Sequence, residues 1–392
     1  MRASRIRTSQ RLAGIGGSAT YAVHDLVQSM RAEGKAVLDL GGGDPDFPTA
    51  EHIAAAAADS VHAGFTHYTP SRGLPELRTA ISEKLLDDNR ISTDPGTDVI
   101  VTPSAKYALF LALTTILDPG DDILIPTPSW VSYASMAHLV GARPVSVPLR
   151  ADGGFRLTRK LLDAAVGPRT RAILINTPNN PTGHVLDEQE ATDLAAFAIE
   201  HDLAIVADEI YEKIIYRGRH ISMAAVPGCA ERTLTVNGFS KAYAMTGWRL
   251  GYIAGPTDVI TEVLKAAQHT VGCAGSFVQQ GGIAALTGPQ GDLLRMVDEY
   301  AARRTMIVEG LAALPGVTCT PPDGAFYAFA DISGAGRGSD TEFAEWLLTT
   351  AGVAVTPGSA FGEGGEGHVR LSFSGPQDVI KEALERIADA FR

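Results

Sequence analysis

The stretch TLTVNGFSKAYAMTGWRLGY, Thr233 to Tyr252, joins an apolar run to a Gly/Ser-rich turn that carries Lys241, with Arg249 eight residues further on. A continuous apolar run suits a strand covered on both faces, and the turn after it marks where such a strand ends and a site opens. A lysine ammonium held there, partly desolvated and beside an arginine, loses its proton more readily than in water and becomes a carbonyl-reactive amine. A solvated surface lysine is the ordinary meaning of one Ser-Lys pair, so this reading depends on the rest of the chain.

Around that stretch, short β-branched runs alternate with longer helical ones. The strand candidates are Asp98 to Thr102, Asp122 to Pro126, Ala142 to Pro148, Thr170 to Asn176, Leu203 to Asp208, Thr233 to Asn237 and Arg249 to Gly255. Helical segments such as Tyr107 to Leu117 and Asp187 to His201 lie between them. This alternation predicts an α/β fold with a mostly parallel central sheet flanked by helices, its ligand crevice beyond the carboxyl ends of the strands. After about Gly288 the pattern changes to a long helix (Leu293 to Leu311), the run GAFYAFADI, a helix (Thr341 to Ala351), HVRLSFS and a terminal helix. That predicts a smaller α+β domain, residues 1–45 with 289–392, beside a large domain of residues 46–288. The Gly-rich segment Gly358 to His368 reads as flexible surface, and the alanines at Ala54 to Ala58 as a helix interior.

Composition narrows the function classes. The chain has 392 residues, 45% hydrophobic and 20% charged, enough to bury a large core. Its 33 basic and 45 acidic side chains give a net charge of −12, which argues against nucleic acid or an anionic membrane as partner. Cys229, Cys273 and Cys319 are odd in number and lack C-x-x-C spacing, against a disulfide framework or zinc site and for a reducing compartment. The basic N-terminus has no apolar core of signal-peptide length and no segment reaches membrane-spanning length, so a cytoplasmic protein is expected.

The chemistry stands at the strand ends. Asp208 closes LAIVAD and is followed by Glu209 and Tyr211; a buried carboxylate needs a cationic partner, and a protonated pyridine nitrogen would be one. Asn180, in the turn TPNNPTG, is able to donate its amide to a ring oxygen. TPSAKYALF supplies a strand end, Ser104 and a helix start, an arrangement that suits a phosphate. Arg370, on the apolar strand HVRLSFS, needs a carboxylate: an internal acid or that of a ligand.

The blocks YTPSRG, TPSAKYALF, PTPSWVSY, NTPNNPTG, VADEIYEKIIY, NGFSKAYAMTGWRLGY, DGAFY and HVRLSFS occur in an order that resembles the class I aminotransferases of pyridoxal-phosphate fold type I, most closely the bacterial aspartate aminotransferase subgroup. The resemblance spans nearly the whole chain. It implies pyridoxal 5'-phosphate as cofactor, with Lys241 forming the Schiff base and then moving the proton at substrate Cα. It also implies that Asp208 pairs with the ring nitrogen, that Asn180 and Tyr211 contact the ring oxygen, and that Trp130 stacks on the ring. Ser104, Ala105, Ser240 and Arg249, with Lys106 nearby, would hold the phosphate. Tyr68 would reach the phosphate of the neighbouring subunit, which makes the protein a homodimer with shared sites. Arg370, assisted by Gly43, Trp130 and Asn180, would bind the substrate α-carboxylate.

In the same subgroup a lysine at the Lys106 position and an arginine at the Arg11 position serve dicarboxylic substrates, which points to aspartate, glutamate or 2-oxoglutarate as one partner. Two departures bear on the site: Gly238 replaces a frequent serine, and Gln268 to Gly282 is unusually small and Gly-rich, consistent with a wider pocket. The expected reaction moves an amino group between an amino acid and a 2-oxo acid. The alternative on the same residues is a fold-type-I lyase, cyclase or oxidase.

Overall fold

A computed structural model describes residues 8–17 and 19–392. The strands are β1 (Leu38–Asp39), β2 (Val99–Thr102), β3 (Asp122–Thr127), β4 (Arg143–Pro148), β5 (Thr170–Asn176), β6 (Ala204–Asp208), β7 (Thr233–Gly238), β8 (Gly251–Ala254), β9 (Thr318–Cys319), β10 (Tyr327–Asp331), β11 (Val353–Ala354), β12 (Thr356–Pro357) and β13 (His368–Ser372). The helices are α1 (Ala19–Ala32), α2 (Glu51–His62), α3 (Pro75–Asn89), α4 (Ala105–Ile116), α5 (Ser132–Val140), α6 (Arg159–Ala165), α7 (Glu188–Glu200), α8 (Thr257–Gln268), α9 (Ser276–Thr287), α10 (Gly291–Ala312), α11 (Asp340–Trp346) and α12 (Gln377–Phe391).

The seven-stranded sheet has the order β2-β8-β7-β6-β5-β3-β4, and only β8 runs antiparallel to its neighbours. Both faces are covered, which is why its strands read as unbroken apolar runs. Along β5, Ala172 and Leu174 face α4, α5 and α8, while Ile173 and Ile175 face α6 and α7. Helix starts follow local chemistry: Asp187 and Glu190 form a reciprocal capping box on α7. The carboxyl-terminal region carries the antiparallel sheet β12-β13-β10-β9, packed on α10 and α12 through Tyr300, Ile307, Phe326 and Ile380. Parallel pairing of β1 with β11 joins the amino-terminal segment to this region.

Three expectations need correction. β8 begins at Gly251, because Arg249 follows a 3-10 turn and takes a left-handed backbone (φ 55°) that no strand accommodates. The helix expected to Ala351 stays α-helical only to Trp346 and widens into a π-helical turn over Leu347–Ala351. The segment Gly358 to His368 is packed rather than loose: Phe361 is buried against Phe329, and a Cβ on Gly365 would lie 2.1 Å from the Gly358 carbonyl oxygen. Its glycines allow close backbone approach. Cys229, Cys273 and Cys319 are unpaired, and no helix of the described residues is long and apolar enough to cross a membrane.

Candidate active site

β2, β3, β5, β6 and β7 end on one edge of the large sheet, and β8 begins there, with Gly251 in register with Thr102 and Gly238. The backbones crowd at this point. A Cβ on Gly251 would stand 2.3 Å from the Ala105 nitrogen, and one on Gly238 2.9 Å from the Leu250 carbonyl oxygen, so neither position has room for a side chain without a shift. Ser104 caps α4, its hydroxyl accepting from the Tyr107 N–H at 3.2 Å, and its own φ of 101° turns the chain sharply into the helix. The amino end of α4, with the Ala105 N–H, therefore points its dipole into the crevice.

Asp208 is 4% exposed at the end of β6. Its Oδ2 accepts from the Tyr133 hydroxyl at 2.7 Å and its Oδ1 from the Ile210 N–H at 3.2 Å, and no described cation lies within 4 Å of it. Burial lifts its pKa to about 6 against the pull of Tyr133 and the Ile210 N–H. Lys241 Nζ donates to the Gly43 carbonyl at 2.5 Å and lies 5.6 Å from the centre of the Phe326 ring and 6.0 Å from that of Tyr211. Burial, opposed by Asp44 and helped by Arg370 and Arg249, brings its pKa down to about 8, so an appreciable fraction is free amine at neutral pH.

Arg370 is 2% exposed, yet no described carboxylate comes within 4 Å of it. The guanidinium donates to Asn180 Oδ1 at 2.9 Å and the Gly41 carbonyl at 2.5 Å, with Thr356 Oγ1 at 3.4 Å, and lies over the Tyr327 ring at 4.5 Å. Its Nε has no acceptor. No described acid pairs with it directly, Asp39 acting on its charge only from beyond contact, so the guanidinium is open to a ligand carboxylate. Tyr211 bonds the Tyr327 hydroxyl at 2.8 Å, and Lys106 Nζ stands 4.8 Å over Trp130, whose ring meets Tyr133 edge-on. Two connected series converge on the crevice, Lys106–Trp130–Tyr133–Asp208 and Lys241–Tyr211–Tyr327–Arg370–Asn180.

A buried carboxylate with no cation in contact faces the same crevice as a buried guanidinium with no carboxylate in contact and a lysine whose pKa is brought down to about 8. Against this geometry stand the comparisons. Residues 35–387 match the model of the family "Aminotransferase class I and II". The chain belongs to that family. It is 50% identical to an aspartate aminotransferase of Musicola paradisiaca, over 97% of this chain and 96% of the relative. It is 40% identical to an aromatic-amino-acid aminotransferase of Thermococcus litoralis, over 97% of each. The solved aspartate aminotransferase of Thermus thermophilus with maleate superimposes with a TM-score of 0.93 at 39% identity, over the whole of both chains.

The protein is a pyridoxal-phosphate-dependent aminotransferase, and the crevice fits that cofactor on its own chemistry. Asp208 lacks the cation that a protonated pyridine supplies, and the α4 amino end with Ser104 is an anion cradle that a Cβ at Gly251 would fill. Ser240 is buried at the foot of the lysine turn, while Arg249 is exposed and donates to the Thr246 carbonyl at 2.7 Å. Two expected residues stand apart from the cluster: Tyr68 is 97% exposed, and Arg11 is exposed in the 3-10 turn Gln10–Leu12 beside α5. Tyr133, Tyr327, Thr356 and Gly41 join the site without having been singled out in the sequence. Only WVSY and DGAFY held a trace of them, as members of the recurring blocks.

Proposed function

We propose that this aminotransferase takes a dicarboxylic amino acid, aspartate or glutamate, as one partner, and that a second copy of the chain completes its site. The carrying observation is the buried Arg370 without an internal carboxylate, with a second cation, Lys106, held over Trp130. Two cations on one crevice match the two carboxylates of such a substrate. Relatives named aspartate aminotransferase, one of them solved with the dicarboxylate maleate, support this reading.

Bound pyridoxal phosphate supplies a protonated pyridine ring into which the electrons of a broken Cα–H bond spread. Asp208, with Tyr133 behind it, would hold that ring proton; Asn180 and Tyr211 would contact the ring oxygen, and Ser104, Ala105, Ser240 and Arg249 would hold the phosphate. Trp130 would cover the ring. Arg370 grips the α-carboxylate and so orients the Cα–H bond toward Lys241, whose free amine takes the proton and returns it on the way to product. Tyr68, a tyrosine 97% exposed in its own chain, is suited to reach into a partner's phosphate cradle. Arg11 would serve the distal carboxylate. The boundaries 46–288 and 1–45 with 289–392 are proposed for the two domains, and the cytoplasm for its location.

The test is a half-reaction screen: each amino acid is mixed with cofactor-loaded protein, loss of the cofactor's visible absorbance is followed, and the oxo acid is identified by mass. Fast conversion by aspartate and glutamate supports the reading. A preference for aromatic amino acids would overturn it and favour the chemistry named for the Thermococcus litoralis relative. Ammonia or peroxide without a second oxo acid would favour a lyase or oxidase instead.

A further inference from the structure

Beside the Asp208–Tyr211 turn, six polar side chains from three segments meet in the interior. Glu209 is fully buried, and its Oε2 accepts from the Ser222 hydroxyl at 2.7 Å and lies 3.0 Å from His220 Nε2. Asn89, the last residue of α3, donates to Glu212 Oε2 at 2.6 Å and to Ser222 Oγ at 2.7 Å. Lys84, also on α3, bonds Glu212 and, at 2.6 Å, Asn89 Oδ1. Glu209 and Glu212 flank Tyr211, so the network grips the turn that carries both Asp208 and Tyr211. It does so from outside the reaction space.

The charges decide its state. Two buried carboxylates face one ammonium, and an unmatched buried charge is very costly. A proton on His220 closes the sum. Burial works against that proton, but Glu209 and then Glu212 outweigh it and raise the His220 pKa, while Lys84 opposes. The other titratable groups packed on the cluster are Tyr243 and Tyr252, whose phenols burial keeps protonated, and Asp88, which is bonded to Lys213 at 2.6 Å. Ligand atoms of Glu209, Glu212 and His220 lie within 4.8 Å of one another. Lys84 already supplies the positive charge that a metal ion would bring there.

We propose that the Glu209–His220 ion pair positions the Asp208–Tyr211 turn, and that the proton on His220 shields Asp208 from the charge of its neighbour Glu209. The inference rests on the assignment of Asp208 as the partner of the cofactor ring. It predicts effects of opposite sign from two conservative changes. His220→Gln leaves Glu209 unshielded, so Asp208 holds its charge less readily and the acidic limb of kcat/KM moves up by about one pH unit. Glu209→Gln removes the like charge and moves that limb down. A purely structural role would shift both the same way or neither.

The first measurement needs no turnover: histidine ring resonances of the cofactor-free protein are followed against pH by NMR. His220 is expected to stay protonated to higher pH than an ordinary histidine, and to lose that excess in Glu209→Gln. Should a variant fail to fold, the wild-type titration decides, with His220 assigned through its ring-to-backbone couplings. An ordinary titration of His220, or acidic limbs that move together, would overturn the proposal. Failure of the Asp208 assignment would show separately, as undiminished turnover in Asp208→Asn with the His220 titration still elevated.

Discussion

Asp208 and Glu209 are consecutive, both are buried, and their surroundings are opposite. Asp208 meets one phenol and one N–H; Glu209 meets a hydroxyl and an imidazole, and with Asn89, Lys84 and Glu212 the charges of the set balance, though Glu209 Oε1 and His220 Nδ1 have no partner. The same contrast separates Arg370, without an acid, from Arg303, which bonds Asp46 and Glu299, each at 2.8 Å. Charge left unbalanced weakens the fold and is satisfied only by ligands, whereas balanced charge holds the fold in shape. Substitutions on the crevice side should therefore cost activity and spare stability. Those behind it should cost stability and move the pH profile of activity rather than its maximum.

The largest effect is expected at Lys241. On the proposed assignment Lys241→Ala removes both the covalent attachment and the proton carrier, so turnover should fall by at least about 10⁴-fold. The cofactor-free fold should melt no lower than wild type, since burial of that ammonium is unfavourable. Thermal melts beside single-turnover assays check both halves. A large drop in melting temperature would place Lys241 among the structural residues and break the contrast.

Asp208→Asn comes next, with turnover reduced by about 10³-fold through loss of the proposed ring-proton partner. Its stability effect carries a sign. Burial raises the Asp208 pKa from an ordinary 3.8 to about 6, so its favourable contribution is present below the ordinary value and lost as pH rises through about 6. Asparagine escapes that loss: the cofactor-free variant should gain up to about 3 kcal/mol at pH 7 and only about 0.5 kcal/mol at pH 4. Glu212 runs the other way. Lys84, His220 and Asn89 overcome burial and bring it down to about 2, so its contribution is full above the ordinary glutamate range and lost as pH falls toward 2. Glu212→Ala should destabilise the protein by about 3–5 kcal/mol by stranding Lys84. Denaturant curves at pH 4 and pH 7 measure both.

How far the sequence carried the site follows from the same physics. Apolar runs located six of the seven large-sheet strands to within one residue at each end, because covered strands leave no polar alternation to confuse them. Lys241, Asp208, Asn180 and Arg370 stood out since each follows or lies on such a run, and the structure brings the four to one crevice. Arg249 was placed on a strand, for nothing in GWRLG announces a left-handed residue. The phenol of Tyr133, 75 positions from Asp208, and the orphan Nε of Arg370 exist only once the chain is folded. The packed glycines of 358–368 have the composition of a loose loop. Only close contacts such as Gly358 with Gly365 tell the two apart.

Arg370→Met should raise KM for amino acids by about 10²-fold with a smaller change in kcat, as expected for a group that binds the carboxylate in ground and transition states alike. Its stability should hold or rise, because a buried cation without an anion is replaced by an apolar chain of similar length. Steady-state kinetics with a melting curve would tell. Equal loss of kcat and of stability would mean that its bonds to Asn180 and Gly41 shape the crevice rather than serve the substrate.

Tyr133→Phe sharpens the contrast with the smallest expected effect. Its hydroxyl is the strongest of the few aids to the Asp208 charge, and removing it should lift the Asp208 pKa further above about 6. Turnover should fall about 10-fold, the worth of one hydrogen bond to a charged group. The two positions act through one bond, so the costs should not add: in an Asp208→Asn background the same change should have little effect on kcat. A double-mutant cycle measures this directly. If Tyr133→Phe cost the same in both backgrounds, the phenol would be acting through its edge-on contact with Trp130 at 5.3 Å, and Asp208 would hold its charge by the cofactor alone.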